Sequence, residues 1–137
     1  ADKNYTNSVL EFLIRDWETR KWGNNPEVTL VYLGVAGLDK NSLMVKKAIE
    51  LLRINQLASG AWSGYSAKTT RGGVFRTCAI LNALTAVGLG LEDAAIVKGL
   101  KFVQSRLDKI VNAKWGGVLI QGFYGLTSAL LQLGLID

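Results

Sequence analysis

Apolar residues along this chain recur in two alternating patterns, and both are helical. In one pattern, apolar positions three and four residues apart form one face, and charged residues form the other. This amphipathic pattern covers residues 8–20, 43–55 and 92–107. In the other pattern apolar residues run nearly all the way round, which is typical of a helix buried on all sides. This second pattern covers residues 27–37, 75–87 and 122–133. We therefore predict an all-α protein in which amphipathic and buried helices alternate.

The two patterns repeat with a period of about 50 residues. Gly37-Leu38 and Gly88-Leu89 are offset by 51 positions, and the residues that follow them align at that offset. A third copy of this signature, Gly134-Leu135, follows the last apolar segment, and Gly116-Gly117 marks a further loop. A repeat of this length predicts stacked helix pairs. We expect one domain over residues 1–137, an arc of about three helical hairpins with amphipathic helices outside and apolar helices inside.

One segment carries a more specific signal than the repeat. Gln56, Gly60 and Trp62 follow Leu52 in the order aliphatic-x-x-x-Gln-x-x-x-Gly-x-Trp. This spacing resembles the QW motif of the squalene and oxidosqualene cyclases, with Leu51 where that family usually has an aromatic residue. The resemblance implies a partial α/α toroid like those of the cyclases and prenyltransferases. It also implies that the Gln caps an outer helix and stacks with the Trp, so that adjacent repeats are tied together.

Two degenerate copies of the motif accompany this well-matched one. The first spans residues 98–116, where Leu107 replaces the Gln and Trp115 arrives late. The second spans residues 12–23 and keeps only its ends. With the aligned apolar helices, the resemblance covers most of the chain. The predicted structural motif residues are Gln56, Gly60, Trp62 and Trp115.

The chain lacks the catalytic devices of that superfamily. It contains no Asp-x-Asp-Asp acid motif of the class II terpene cyclases. The chain has no histidine and one cysteine, Cys78, so the prenyltransferase zinc site and histidine-based catalysis are excluded within it. Neither a thioester sequence nor an Asp-rich diphosphate motif is present. We predict no metal and no cofactor, and we expect a chain that is not an enzyme by itself.

The loop at residues 63–76 is the best candidate for ligand contact. It joins an amphipathic segment to an apolar one and carries basic, hydroxyl and glycine residues. Such groups near a helix N-terminus suit a phosphate, a sulfate or a carboxylate, although the spacing is not that of a P-loop. A solvated polar loop is the simpler alternative. The candidate ligand residues are Tyr65, Lys68, Thr69, Thr70, Arg71 and Arg76.

These observations favour a non-catalytic helical-repeat binding module. Its partner is expected to be anionic, in keeping with the net charge of +5, or amphipathic and isoprenoid-like. The alternatives are half of a terpene-cyclase-like enzyme completed by another chain, or a structural subunit. An arc leaves its end repeats uncovered, which indicates self-association into a ring, pairing with another chain, or excision from a longer protein. We favour association. No specific nucleic-acid signal or transmembrane segment is apparent, and the compartment, cytoplasmic or exported, stays open.

Overall fold

A computed structural model describes residues 3–20, 26–64, 73–107 and 117–137, and six helices run through these ranges. They are α1 (Lys3–Arg20), α2 (Pro26–Val35), α3 (Leu43–Asn55), α4 (Val74–Ala86), α5 (Ala94–Ser105) and α6 (Gly117–Gln132). None of the described residues lies in a β-strand. The prediction of an all-α protein is confirmed.

The helix bounds follow the hydrophobic pattern closely, with differences at the ends. Helix α3 covers the predicted residues 43–55, whereas α1 begins at Lys3 rather than at residue 8. Helix α5 begins later than predicted, because Asp93 is its N-cap and accepts a hydrogen bond from the Ala95 amide at 3.0 Å. The assignment of Gly117 to a loop was wrong, since Gly117 is the first residue of α6.

The three even-numbered helices end in the same turn. Gly37, Gly88 and Gly134 adopt positive φ angles of 93°, 99° and 71°. The amide of the following leucine then donates back to the carbonyl five residues earlier, at 2.9–3.1 Å, and the glycine amide donates to the carbonyl three residues earlier. This pair of bonds is a Schellman cap, and glycine adopts its left-handed conformation without strain. The Gly-Leu signature of the sequence is therefore a repeated helix C-terminus.

Helix α4 lies at the centre of the packing. It contacts α2 on one side and α6 on another, and it also packs against α5, while α2 packs against α3. We call α2, α4 and α6 the central row. The row is close-packed, because a Cβ added to Gly34 of α2 would lie 2.5 Å from the Ala86 carbonyl oxygen of α4. Residues from all six helices join one hydrophobic core.

The burial of the central row differs from one helix to the next. Helix α4 is buried as predicted for an apolar helix, and its hydroxyl side chains are bonded, as when Thr85 Oγ1 donates to the Leu81 carbonyl. Helix α2 is not buried on all sides, so that prediction was wrong: Val28, Tyr32 and Val35 are 58%, 68% and 83% exposed. Within the described ranges, no helix combines the length and the apolar character that a membrane span requires.

Candidate functional site

Gln56 joins two consecutive helix pairs. It is the C-cap residue of α3, and its Nε2 donates to the Gly60 carbonyl at 2.9 Å and to the Ala95 carbonyl at 3.0 Å. The first bond holds the loop that follows α3. The second reaches the first turn of α5, which belongs to the next helix pair. A single side-chain amide therefore uses both of its donors to fix the loop against the neighbouring unit.

Trp62 closes the same segment from inside the core. Its side chain is fully buried, and the indole Nε1 donates to the Leu52 carbonyl of α3 at 2.7 Å. Its backbone amide donates to Oγ1 of Thr77 in α4 at 3.0 Å. Trp62 thus connects the loop to one helix on each side, and its polar atom has the partner that a buried indole needs.

Gly60 brings the segment against α5. Its φ angle is +93°, and a Cβ at this position would lie 2.2 Å from the Lys98 carbonyl oxygen. No side chain fits in that space. We call the segment 56–62 the connector. At Gly60 its backbone packs directly against the backbone of α5.

An ion pair lies beside this connector. Arg53 in the last turn of α3 donates to both carboxylate oxygens of Asp93, with Nη1 and Oδ1 separated by 3.0 Å. Partial burial opposes ionisation of Asp93, but the hydrogen bonds and charge of Arg53 outweigh it and lower the pKa of this carboxyl below its ordinary value. The same contact raises the pKa of Arg53. Asp93 therefore caps α5 and holds α3 at once.

The second ion pair is buried, and it includes one predicted ligand residue. Arg76 Nε donates to Oε1 of Glu27 at 3.2 Å, and Arg76 Nη1 donates to the Ser63 carbonyl at 3.0 Å. The Arg76 side chain is 12% exposed and the Glu27 side chain is 1% exposed. This arrangement joins the first turns of α2 and α4. Arg76 is thus engaged inside the protein and is not presented to solvent as a free cation.

An apolar groove runs across the central row beside this ion pair. It has a cavity volume of about 290 Å³. Its lining comes from α2, α4 and α6, and consists of Glu27, Val28, Val31, Tyr32, Ala79, Asn82 and Gly125. Val28, Ala79 and Gly125 each lie nine residues before a turn glycine, so the three helices contribute the same repeat position. The groove is therefore a product of the repeat, with a buried carboxylate in one part of its wall.

Five of the predicted ligand residues lie outside the described residues. They are Tyr65, Lys68, Thr69, Thr70 and Arg71. The same holds for the predicted motif residue Trp115. Among the predicted residues that are described, the structure brings Gln56, Gly60 and Trp62 together in the connector and places Arg76 with Glu27.

The described chain offers little reactive chemistry. No group of three or more His, Cys, Asp and Glu side chains able to hold a metal ion occurs in the described ranges. The Cys78 thiol is almost fully buried, and burial raises its pKa to about 12, so it is a poor nucleophile at neutral pH. Cys78 acts here as a small core residue.

Sequence reasoning missed Glu27 and the pairing of Arg53 with Asp93. A signal for Glu27 was present, because a carboxylate at the start of an apolar helix needs a partner once that helix is buried. The basic residues between positions 53 and 76 were the available partners. Which of them reaches Glu27 depends on tertiary packing over 49 residues of chain.

Comparisons with family models, with curated proteins and with solved structures find no match for this chain.

Proposed function

We propose that this chain is a non-catalytic helical-repeat module that binds an amphipathic partner in the groove of the central row. The groove itself carries the proposal. It is apolar, open to solvent, and built from equivalent positions of the three helices of the central row. Small residues at Ala79 and Gly125 leave room in it, while Tyr32 and Glu27 add polar groups to its wall. An apolar cleft with few polar groups is the usual form of a small-molecule site.

The charges in and near the groove favour an amphipathic partner over a purely anionic one. Arg76 is held by Glu27 and Ser63, and among the described residues that line the groove Glu27 alone carries a carboxylate. Because Arg76 is buried and its charge is balanced by Glu27, Arg76 does not attract an anion strongly. The same pairing gives no support to a role for Glu27 as the acid of half a terpene-cyclase-like enzyme.

We further propose kinship with the squalene-cyclase and prenyltransferase toroids. The support is the behaviour of Gln56, Gly60 and Trp62, which link α3 to α5 and to α4 through bonds of 2.7–3.0 Å. In this proposal the central row is the inner layer of a partial toroid, and α1, α3 and α5 are the outer layer. The groove then corresponds to the concave inner surface, and an isoprenoid-like chain is its natural occupant.

Binding of isoprenoids to the full chain tests the proposed function. Farnesol, farnesyl diphosphate and squalene are titrated separately by calorimetry and by intrinsic fluorescence. We expect saturable binding of farnesol or farnesyl diphosphate without turnover, because the groove is apolar and the carboxylate in its described lining, Glu27, is paired with Arg76. No saturable binding of any of the three would contradict the proposal.

A matched pair of variants places the binding in the groove. Asn82→Phe fills the groove wall, whereas Asn55→Phe adds the same ring at an exposed position at the end of α3. We expect Asn82→Phe to weaken binding by about tenfold or more, and Asn55→Phe to leave it unchanged. Equal binding by the two variants would show that the ligand lies elsewhere.

A further inference from the structure

The turn glycines define which residues of the central row are equivalent. Counting back from Gly37, Gly88 and Gly134, three positions recur on one helix face. Nine residues back stand Val28, Ala79 and Gly125; five back stand Tyr32, Ala83 and Ala129; two back stand Val35, Ala86 and Gln132.

On α4 and α6 this face meets the preceding helix of the row. A Cβ on Gly34 of α2 would touch the Ala86 backbone of α4, and a Cβ on Gly125 of α6 would lie 3.4 Å from the Cys78 carbonyl of α4. Ala83 and Ala129 are both fully buried. The face is therefore the one through which each central helix packs on its predecessor.

On α2 the same face is open. Tyr32 is 68% exposed where Ala83 and Ala129 are 0% exposed, and Val28 and Val35 are also exposed. At the position of Tyr32 a large side chain thus lies exposed where the other two helices bury an alanine. We call Val28, Tyr32 and Val35 the leading edge.

The opposite end of the row is open in a complementary way. Ile80, Leu84 and Leu89 of the α4 unit are equivalent to Leu126, Leu130 and Leu135 of the α6 unit. Ile80 and Leu84 are 0% and 1% exposed, whereas Leu126 is 8% exposed and Leu130 is only partly buried. Leu135 is 48% exposed, whereas its equivalent Leu89 is partly buried. We call the trough at this end the trailing edge; its cavity volume is about 350 Å³. Its lining is Leu100, Val103, Gln104, Leu107, Leu126, Leu130 and Leu135.

One unit earlier, the C-terminal end of α3 meets the start of α5. Arg53 and Gln56, at the end of α3, bond to Asp93 and Ala95 at the start of α5. At the 51-residue offset their equivalents are Gln104 and Leu107, at the end of α5. The trailing edge is thus the place where the alternation of helices puts an odd-numbered helix, followed by a further helix of the row.

We propose that a second copy of this chain fills that place, so that copies associate head to tail. Its α1 enters the trough and its α2 lies along α6 with the leading edge inward. Helices α1 and α2 are the required pair in the required order, and α1 also exposes apolar side chains, with Val9 at 39% and Phe12 at 56%. In this arrangement the order of helices within one chain continues across the contact. It is heterologous, because two different surfaces meet, and repetition gives a closed ring or a filament. This inference does not rest on the ligand proposed for the groove, although Val28 and Tyr32 belong to both surfaces.

Light scattering of the full chain over a range of concentrations tests the proposal. The wild type is expected to form dimers or larger species. Tyr32→Lys charges the leading edge, and Leu135→Lys charges the trailing edge, both at exposed positions that leave the fold intact. Each variant alone is expected to associate at least about tenfold more weakly. Ile54→Lys, at a 72% exposed residue of α3 away from both edges, is the control and is expected to associate like the wild type.

Mixing the two edge variants separates head-to-tail contact from any other. Tyr32→Lys keeps an intact trailing edge and Leu135→Lys keeps an intact leading edge, so an equimolar mixture is expected to form dimers and nothing larger. Circular dichroism checks that each variant is as helical as the wild type. A wild type that is monomeric at every concentration would overturn the proposal, as would edge variants that associate normally. A mixture that stays monomeric would overturn it too.

Discussion

The side-chain amide of Gln56 lies 3.0 Å from the backbone carbonyl of Ala95, and this bond joins two helix pairs across 39 residues of sequence. The same amide holds the Gly60 carbonyl at 2.9 Å. Loop and neighbouring helix are thereby fixed by one residue at the end of α3. The connector of residues 56–62, rather than broad contact between α3 and α5, therefore sets how successive units meet.

Gln56→Ala is expected to lower the free energy of unfolding by about 1–3 kcal/mol, because two carbonyls lose their donor in a partly buried position. Chemical denaturation measures the change. Gln132→Ala, at an exposed residue that ends α6, is the matched control and should shift the midpoint little. Equal effects of the two changes would mean that the Gln56 bonds contribute nothing to stability.

Gly60→Ala and Gly37→Ala separate backbone strain from steric clash. Both residues have φ near +93°, but a Cβ on Gly60 would meet the Lys98 carbonyl at 2.2 Å, whereas nothing lies within 4 Å of one on Gly37. We expect Gly37→Ala to destabilise the protein by about 1–2 kcal/mol from strain alone. Gly60→Ala should destabilise it by roughly 2–5 kcal/mol, because the clash adds to the strain. If the two variants have the same free energy of unfolding, the connector does not make the close contact with α5 described above.

Asp93 gives stability a dependence on acid pH. Its pKa in the folded protein is lowered from an ordinary value of 3.8, so its stabilising effect is complete above that value and is lost as the pH falls through the lowered one. Asp93→Asn keeps a capping oxygen but removes the charge that Arg53 binds. Thermal unfolding of both proteins should therefore differ by a constant amount near neutral pH and converge in acid. A difference that persists once the pH is low enough to protonate Asp93 in the folded protein would show that the charge of Asp93 is not its cause.

Removing one member of the buried ion pair should lower the free energy of unfolding more than removing an exposed charge. Glu27→Gln leaves Arg76 without its carboxylate in a site where both side chains are largely buried, and we expect a loss of about 3–5 kcal/mol. Glu50→Gln changes an exposed residue of α3 and should have little effect. Calorimetric unfolding of the two variants gives the comparison. A small effect of Glu27→Gln would mean that the pair does not join α2 to α4.

Much of the fold could be predicted because its signals are local. The 3.6-residue period set the bounds of α3, and the Gly-Leu pairs marked helix ends, since only a residue without a Cβ adopts the Schellman conformation readily. The open face of α2 could not be predicted in this way. Its apolar residues resemble those of a buried helix. Only the order of helices in the central row shows that α2 is the first of them, with no described helix of the row packed on its open face.

The site was less predictable than the fold because its contacts span units. Arg76 was identified as a cation suited to a ligand, but its partner Glu27 lies 49 residues away. Asp93 is an N-cap of α5 and also a link to Arg53, which lies 40 residues away in the sequence. The start of α6 at Gly117 also escaped prediction, since a Gly-Gly pair is locally a loop signal.

The central claim is that α2, α4 and α6 form one row with α4 in the middle. Nuclear Overhauser contacts between assigned protons test it most directly. We expect contacts from the Gly34 Hα protons to the Ala86 methyl group, and from the Gly125 Hα protons to the backbone of Cys78 and Ala79. Both sets together support the row. Absence of either set, or a direct contact between Gly34 and Gly125, would contradict it.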